Sequence, residues 1–234
     1  MFKLFKKKKA NISVVKLFKR VNYSMALAFN VLDVIDACVS SVDSEIVHVS
    51  WNFGAKEWKQ YRSFEKFVKQ SKIETVHFYL ILANDCHLSF SNGLLNCETI
   101  TENMKDVIEL TVDLSKVTFE SSFYSNLFKT VTQAESFDYG YVFCIPEKER
   151  GCWGATVNYR QEDLITGQTF NIDMGYIRDV YSYNLLNEVQ LSKLGHVVEE
   201  TGKLTGIADN LKLWTLTEDE IRAVKNEISF PVVP

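Results

Sequence analysis

A run of eight residues, TVHFYLIL at positions 75–82, most constrains what this chain can fold into. Apolar residues occupy both alternating sets of positions, so a strand made from this run would bury both of its sides. Such a strand lies in the interior of a sheet and not at its edge. The sequence therefore predicts a sheet with further strands on either side of this run.

Other short runs supply candidates for those strands. Asn92–Gly93 is the turn pair of a hairpin, and Pro146 closes one of the runs. The runs share a β-branched and aromatic composition bounded by turn residues. They lie at 45–53, 86–91, 94–100, 106–114, 139–145, 153–160, 168–174 and 211–216.

Helical spacing of apolar residues predicts helices between these strands, most clearly at 56–71 and 119–133. A short helix is expected to begin at Asn184 as N-cap and to end at Gly195. Thr217 and Glu220 form a T-x-x-E capping box that opens a last helix.

Two interpretations stay open for residues 24–42. One is a single helix, and the other is a strand followed by a shorter helix capped by Asn30. The order of elements predicts the α+β class, with a mainly antiparallel sheet and amphipathic helices packed on it. We expect residues 21–234 to form this single domain.

Charge divides the chain into a basic start and an acidic remainder. Residues 1–20 hold eight Lys or Arg and no acid, which leaves 18 basic and 30 acidic residues and a formal charge of −12. We interpret residues 1–20 as a basic N-terminal arm that contacts an anionic membrane surface, or as a solvated tail or first strand. An acidic body repels phosphate backbones, so nucleic acid is not an expected partner.

Cysteine usage indicates a compartment and gives no sign of a metal site. The five cysteines of this 234-residue chain are odd in number and lack paired spacing, which predicts reduced thiols in a cytoplasmic protein. Cys86 and His87 are neighbours, but adjacent residues on a strand point to opposite sides and cannot act as a catalytic pair. We therefore predict no catalytic residue, no metal and no cofactor.

The segment GYIRDVYSYNLLNE, residues 175–188, is the strongest candidate for a binding surface, and we call it the tyrosine-rich corner. Tyrosine, tryptophan and arginine dominate binding hot spots. The structural alternative is that Ile177, Val180 and some tyrosines fill the core while Arg178 and Asp179 pair locally. The predicted partner-binding residues are Tyr176, Arg178, Asp179, Tyr181 and Tyr183 of the corner, together with Trp153.

GYIRDVYSYNLLNEVQL, followed by LKLWTLTEDEIRAVKNEI, resembles the C-terminal part of bacterial proteins associated with toxin–immunity systems. The resemblance covers roughly residues 170–228. It implies a cytoplasmic, non-enzymatic protein that binds and neutralises a cognate toxin by direct contact. The acidic body suits a basic toxin domain as partner, and the lysine-rich start departs from the pattern.

Three functional hypotheses follow. The first is the immunity or inhibitor type of binding protein. The second is a component of a larger assembly, or a membrane-surface protein held by residues 1–20. The third is an enzyme of unrecognised type, which requires a pocket where histidine, cysteine or carboxylate groups converge.

Overall fold

The computed structural model describes residues 11–20, 30–51, 54–70, 76–92, 107–114, 120–146, 175 and 177–228. Ten strands and six helices lie within these ranges. In chain order they are β1 (Asn11–Arg20), α1 (Val31–Ser41), β2 (Ile46–Trp51), β3 (Lys56–Trp58), α2 (Tyr61–Gln70), β4 (Val76–Leu82), β5 (His87–Asn92), β6 (Val107–Asp113), α3 (Ser121–Ala134), β7 (Tyr139–Pro146), β8 (Tyr183–Asn187), α4 (Glu188–Leu194), α5 (His196–Glu200), β9 (Lys203–Ala208), β10 (Leu211–Thr215) and α6 (Glu218–Glu227).

The strands form one antiparallel sheet with the order β3-β2-β4-β5-β6-β1-β7-β8-β10-β9. Strand β4 lies between β2 and β5, as its apolar composition predicted. The helices pack on this sheet, so the predicted α+β class is confirmed. The predicted strands at 94–100, 153–160 and 168–174 lie outside the described residues.

Strand β1 lies in the middle of the sheet, between β6 and β7. Its residues Val14, Val15 and Leu17 are at most 1% exposed. Of the alternatives open for residues 1–20, the first strand is the one present over residues 11–20, and its apolar residues pack against both faces of the sheet. The number of charges in residues 1–20 could not show that part of this segment is buried, because a lysine can be buried where a carboxylate pairs with it. Residues 1–10 lie outside the described residues.

The two faces of the sheet support two hydrophobic clusters. On the first face, Val15 and Leu17 of β1 belong to a cluster that α1, α2 and α3 cover. On the second face, Val14 and Phe18 belong to a cluster shared with α4, α5 and α6. Strand β1 thus joins the two halves of the core, because its alternate side chains enter different clusters.

Two predicted helix boundaries were wrong. The helix expected at 56–71 begins at Tyr61, because Lys56–Trp58 pair with β2 and place Trp58 opposite Val49. Helix α4 is capped by Asn187 and not by Asn184, since β8 pairs with β7 and β10 over the intervening residues.

Other predicted helix ends agree with the structure. Between residues 24 and 42, the shorter helix is present, and the Asn30 side chain accepts a hydrogen bond from the amide of Asp33. Helix α4 ends at Gly195, whose φ of 57° lies in the left-handed region that favours glycine. The Thr217–Glu220 capping box opens α6 as predicted.

The capping box makes a testable contribution to stability. Hydrogen bonds from the amide and hydroxyl of Thr217 lower the pKa of Glu220. A lowered pKa in the folded state stabilises the fold above the ordinary Glu value of about 4.3, and this contribution is lost as pH falls through the folded pKa. We expect Thr217→Ala to lower the free energy of unfolding by about 1 kcal/mol at neutral pH.

Urea denaturation across the acidic range measures the pH dependence. Glu220→Gln should remove this part of the acid-side loss of stability, since glutamine does not titrate. An unchanged slope of stability against pH in Glu220→Gln would contradict the assignment.

Candidate functional site

The tyrosine-rich corner is anchored to the central sheet through its own backbone. Ile177 and Val180 are each 2% exposed and lie in the cluster on the second face. The amide of Arg178 donates a hydrogen bond to the Tyr139 hydroxyl at 2.8 Å. Burial raises the pKa of Tyr139 well above its ordinary value, so this hydroxyl stays protonated. The corner is therefore fixed to β7 and is not a free loop.

A second link ties the corner to the last helix. The Asp179 carboxylate accepts hydrogen bonds from the Val180 amide and from Nζ of Lys225, each at 2.7 Å. Lys225 belongs to α6, so this ion pair joins residues 46 positions apart. The sequence suggested a local pairing of Asp179 with Arg178. The structure shows a partner for Asp179 in α6.

The tyrosines of the corner lie on opposite faces of the sheet. Tyr181 stacks on Tyr141 on the second face, with ring centroids 4.5 Å apart and an interplanar angle of 15°. Tyr183 contacts Tyr124 of α3 on the first face, with centroids 4.4 Å apart. The structure therefore brings Arg178, Asp179 and Tyr181 together and leaves Tyr183 on the other side. Tyr176 and Trp153 lie outside the described residues.

Asn184 holds the turn of the corner from within. It is 1% exposed, accepts a hydrogen bond from the Tyr181 amide at 2.9 Å and donates one to the Tyr181 carbonyl at 2.6 Å. A buried amide that satisfies both groups of one residue fixes the local backbone. The residue expected to cap a helix instead shapes the corner.

One cross-strand row connects the corner to a second polar site. Asn184 lies opposite Tyr141, Tyr141 opposite Lys16, and Lys16 opposite Thr111. Directly paired residues of antiparallel strands share a face. The row therefore runs along the second face from the corner on β8 to strand β6.

Buried polar side chains cover the second face at this end of the row. Asp113, Lys16 and Thr111 are at most 1% exposed, and His87 is 9% exposed. We define the polar cluster as these four residues together with Glu109, which pairs with Lys16, and Tyr79, which contacts His87.

Hydrogen bonds and ion pairs connect the members of the polar cluster. Nζ of Lys16 lies 2.5 Å from Oε1 of Glu109, which also accepts a hydrogen bond from the Thr111 hydroxyl at 3.1 Å. The Tyr79 hydroxyl and Nδ1 of His87 are 2.7 Å apart. The ion pair with Glu109 offsets the cost of burying the charge of Lys16.

His87 lies between two carboxylates. Its Nδ1 is 3.9 Å from Oδ2 of Asp113, and its Nε2 is 3.6 Å from Oδ1 of Asp85. The hydroxyl of Tyr79 can donate to Nδ1 of the ring or accept from it, so this nitrogen has a hydrogen-bond partner in either tautomer. Chemically, this arrangement can hold a proton close to a buried carboxylate.

Sequence reasoning missed the polar cluster, although one signal was present. Strand β6 reads VIELTVD, in which Glu109, Thr111 and Asp113 occupy every second position. This alternation indicates a strand with a polar side. It could not show that the polar side would be buried in the middle of the sheet.

The placement of the described residues supports neither a catalytic pair of Cys86 with His87 nor a metal site. Cys86 lies in the hydrophobic cluster on the first face, whereas His87 contacts the polar cluster on the second. Burial raises the pKa of the Cys38 thiol to about 12, which makes it a poor nucleophile. Within the described ranges, no three His, Cys, Asp or Glu side chains are placed to hold a metal ion.

No helix in the described part of the chain is long and apolar enough to cross a lipid bilayer.

Comparison with known proteins yields a likeness of fold. No protein-family model matches the chain, and no curated protein matches its sequence. The chain is similar in fold to the Pseudomonas aeruginosa T6SS protein PA0821. The TM-score is 0.59 at 10% sequence identity, and the match covers 87% of this chain and 65% of that one. This chain thus spans less than two thirds of its structural neighbour, and the likeness concerns the fold alone.

Proposed function

We propose that this chain is a non-enzymatic binding protein of the immunity type, which neutralises a cognate toxin by direct protein–protein contact. The observation that carries the proposal is the fold shared with a T6SS protein. It agrees with the resemblance of residues 170–228 to toxin–immunity proteins. That resemblance rests on sequence motifs and not on the fold.

The charge of the described surface supports a basic partner. Residues 30–51 contain four acids and no lysine or arginine. Asp33, Asp36, Asp43 and Glu45 are all exposed or partly exposed, on α1 or in the turn that follows it. Complementary charge speeds encounter between partners and excludes wrong ones. These four acidic residues therefore favour a partner toxin domain with positive charge.

The packing of α1 supports a preformed surface. Val34, Ile35 and Cys38 of this helix are at most 1% exposed, and α1 packs against α3. Tyr61 of α2 donates a hydrogen bond to Asp36 at 2.9 Å. Burial of the Tyr61 side chain and, to a smaller extent, the negative charge of nearby Asp36 raise the pKa of Tyr61. The hydroxyl therefore stays protonated and remains a hydrogen-bond donor. A rigid surface of this kind loses little conformational entropy on binding.

Co-purification followed by co-expression tests the proposal. A tagged full-length chain is used to isolate partners from its native host, and each partner is then expressed alone and together with this chain. We expect one partner to inhibit growth alone and to be harmless in the co-expressing strain. Partners without toxicity, or toxicity that this chain does not relieve, would contradict an immunity role.

The corner provides the site-directed test. Replacing Arg178 and Tyr181 together by alanine should weaken partner binding by more than about 2 kcal/mol, roughly 30-fold in Kd, if the corner is a hot spot. His196→Ala is the matched control, because His196 is an exposed residue on nearby α5.

Calorimetric titration measures the binding, and thermal melting reports on the fold. A double variant that melts earlier but binds with unchanged affinity would assign the corner a purely structural role.

A further inference from the structure

Positive charge is concentrated at one edge of the described sheet, where β3 lies and α2 packs beside it. Residues 54–70 contain five basic and two acidic residues, a formal charge of +3, although the whole chain has a formal charge of −4. All five basic residues are exposed, and we call them the basic edge. They are Lys56, Lys59, Arg62, Lys66 and Lys69.

Three residues of the basic edge form a stripe along α2. Arg62, Lys66 and Lys69 are four and three positions apart, so they lie on one side of the helix. Phe64 of the same helix is 0% exposed and belongs to the cluster on the first face, which turns the stripe away from the sheet. The rise of an α-helix makes this solvent-facing stripe about 10 Å long.

The chain itself neutralises little of this charge. Lys59, Arg62 and Lys66 form no ion pair with any other described residue. Lys69 pairs with Glu65 at 2.6 Å, but both of these side chains are exposed to solvent. Unpaired charges of one sign on one side of a protein create a potential that attracts the opposite sign. The basic edge is therefore available to a partner with negative charge.

Three aromatic rings adjoin the basic edge. Phe67 of α2 contacts Trp51 and Trp58, with ring centroids 5.3 and 5.0 Å apart. Nζ of Lys56 lies 4.3 Å from the centroid of the Phe67 ring. All three rings are partly exposed. Basic residues beside tryptophan and phenylalanine are typical of surfaces that lie at the headgroup level of a membrane.

We propose that the basic edge docks this chain on a membrane surface that carries anionic phospholipids. Four of its five basic residues are lysines, which are flexible point charges and lack the planar fork with which arginine grips one fixed phosphate. Lysine stems lie along apolar surface while their ammonium groups reach the headgroups. These properties favour the diffuse charge of a lipid surface over nucleic acid. The docking concerns where the chain is held and is independent of toxin neutralisation.

Co-sedimentation of the full chain with lipid vesicles tests the docking. One set of vesicles contains phosphatidylcholine with phosphatidylglycerol, and the other contains phosphatidylcholine alone. We expect the chain to sediment with the anionic vesicles and to stay in solution with the zwitterionic ones. Added salt should release the bound chain, because it screens the attraction between exposed charges and headgroups.

Two triple variants separate the basic edge from the net charge of the chain. Lys59→Gln, Arg62→Gln and Lys66→Gln together should lower the partition coefficient for anionic vesicles by about 100-fold. The control variant neutralises two lysines and one arginine that are exposed on β10, β9 and α6. Its substitutions are Lys203→Gln, Lys212→Gln and Arg222→Gln. The control should partition like the unaltered chain, and thermal melting checks that both variants are folded.

The other outcomes overturn the proposal. A chain that sediments with neither set of vesicles does not dock on lipid. Equal losses in the two triple variants show a response to net charge and not to the basic edge. Vesicle binding that survives in the basic-edge variant assigns the contact to another segment. Binding to a single-stranded RNA oligonucleotide in place of the vesicles makes the partner of the basic edge a nucleic acid.

Discussion

Replacing Lys16 by methionine is expected to lower the free energy of unfolding by about 3 kcal/mol, because it breaks a buried ion pair in the centre of the sheet. The Lys16 side chain is 1% exposed, and its Nζ lies 2.5 Å from Oε1 of Glu109. Methionine keeps the length and apolar stem of lysine but removes the charge. Glu109 is 27% exposed and can recover some hydration, which places the cost at the lower end for such pairs.

Lys69→Met is the matched control for this prediction. Lys69 also pairs with a glutamate, Glu65, at 2.6 Å, but the two side chains are 62% and 36% exposed. Solvent screens this pair, so its loss should cost far less than the loss of the Lys16 pair. Equal losses in the two variants, measured by urea denaturation, would show that burial does not strengthen the Lys16 pair.

A double variant separates the contribution of the Lys16–Glu109 ion pair from that of the packing of the lysine stem. In Lys16→Met with Glu109→Gln, no unpaired charge remains, and the glutamine oxygen can still accept from the Thr111 hydroxyl. We expect the double variant to be more stable than the sum of the two single losses predicts. Additive losses would contradict a direct interaction between Lys16 and Glu109.

Replacing Trp214 by alanine is expected to cost about 4 kcal/mol, the usual loss for a large aromatic removed from a core. Trp214 is 0% exposed and lies in the cluster on the second face. Its Nε1 donates a hydrogen bond to the Thr201 carbonyl at 2.7 Å. The substitution therefore leaves both a cavity and an acceptor without its donor.

Two smaller substitutions divide this loss into its causes. Trp214→Phe keeps most of the ring but removes the donor, so about 1–2 kcal/mol should be lost. In Trp51→Phe no hydrogen bond is lost, because the buried Nε1 of Trp51 has no acceptor in the described part of the chain. Urea denaturation should therefore show a larger loss at position 214 than at position 51, and the reverse order would contradict this role of the indole.

Several local features of the fold could be predicted because their causes are local. The T-x-x-E box at Thr217 and Glu220 needs only four consecutive residues, and the stop at Gly195 needs one residue that tolerates a positive φ. The interior position of residues 76–82 followed from their composition alone. These predictions required no knowledge of which strand lies beside which.

The errors arose where pairing between distant segments decides the structure. Lys56–Trp58 fits a helical pattern but pairs with β2, and Asn184 fits a helix cap but lies within β8. The polar cluster follows the same rule, since Lys16 and Glu109 are 93 residues apart. A sequence pattern shows which positions are polar, but the register of the strands decides which of them meet.

The sequence by itself determined the α+β class, the interior strand, the helix ends set by single residues and the acidic character of the chain. Only the tertiary structure decided that β1 crosses the centre of the sheet, that Tyr181 and Tyr183 separate onto opposite faces, and that a lysine is buried beside a glutamate. The physical reason is that capping and hydrophobic periodicity act within a few residues, whereas burial and ion pairing depend on contacts between remote strands.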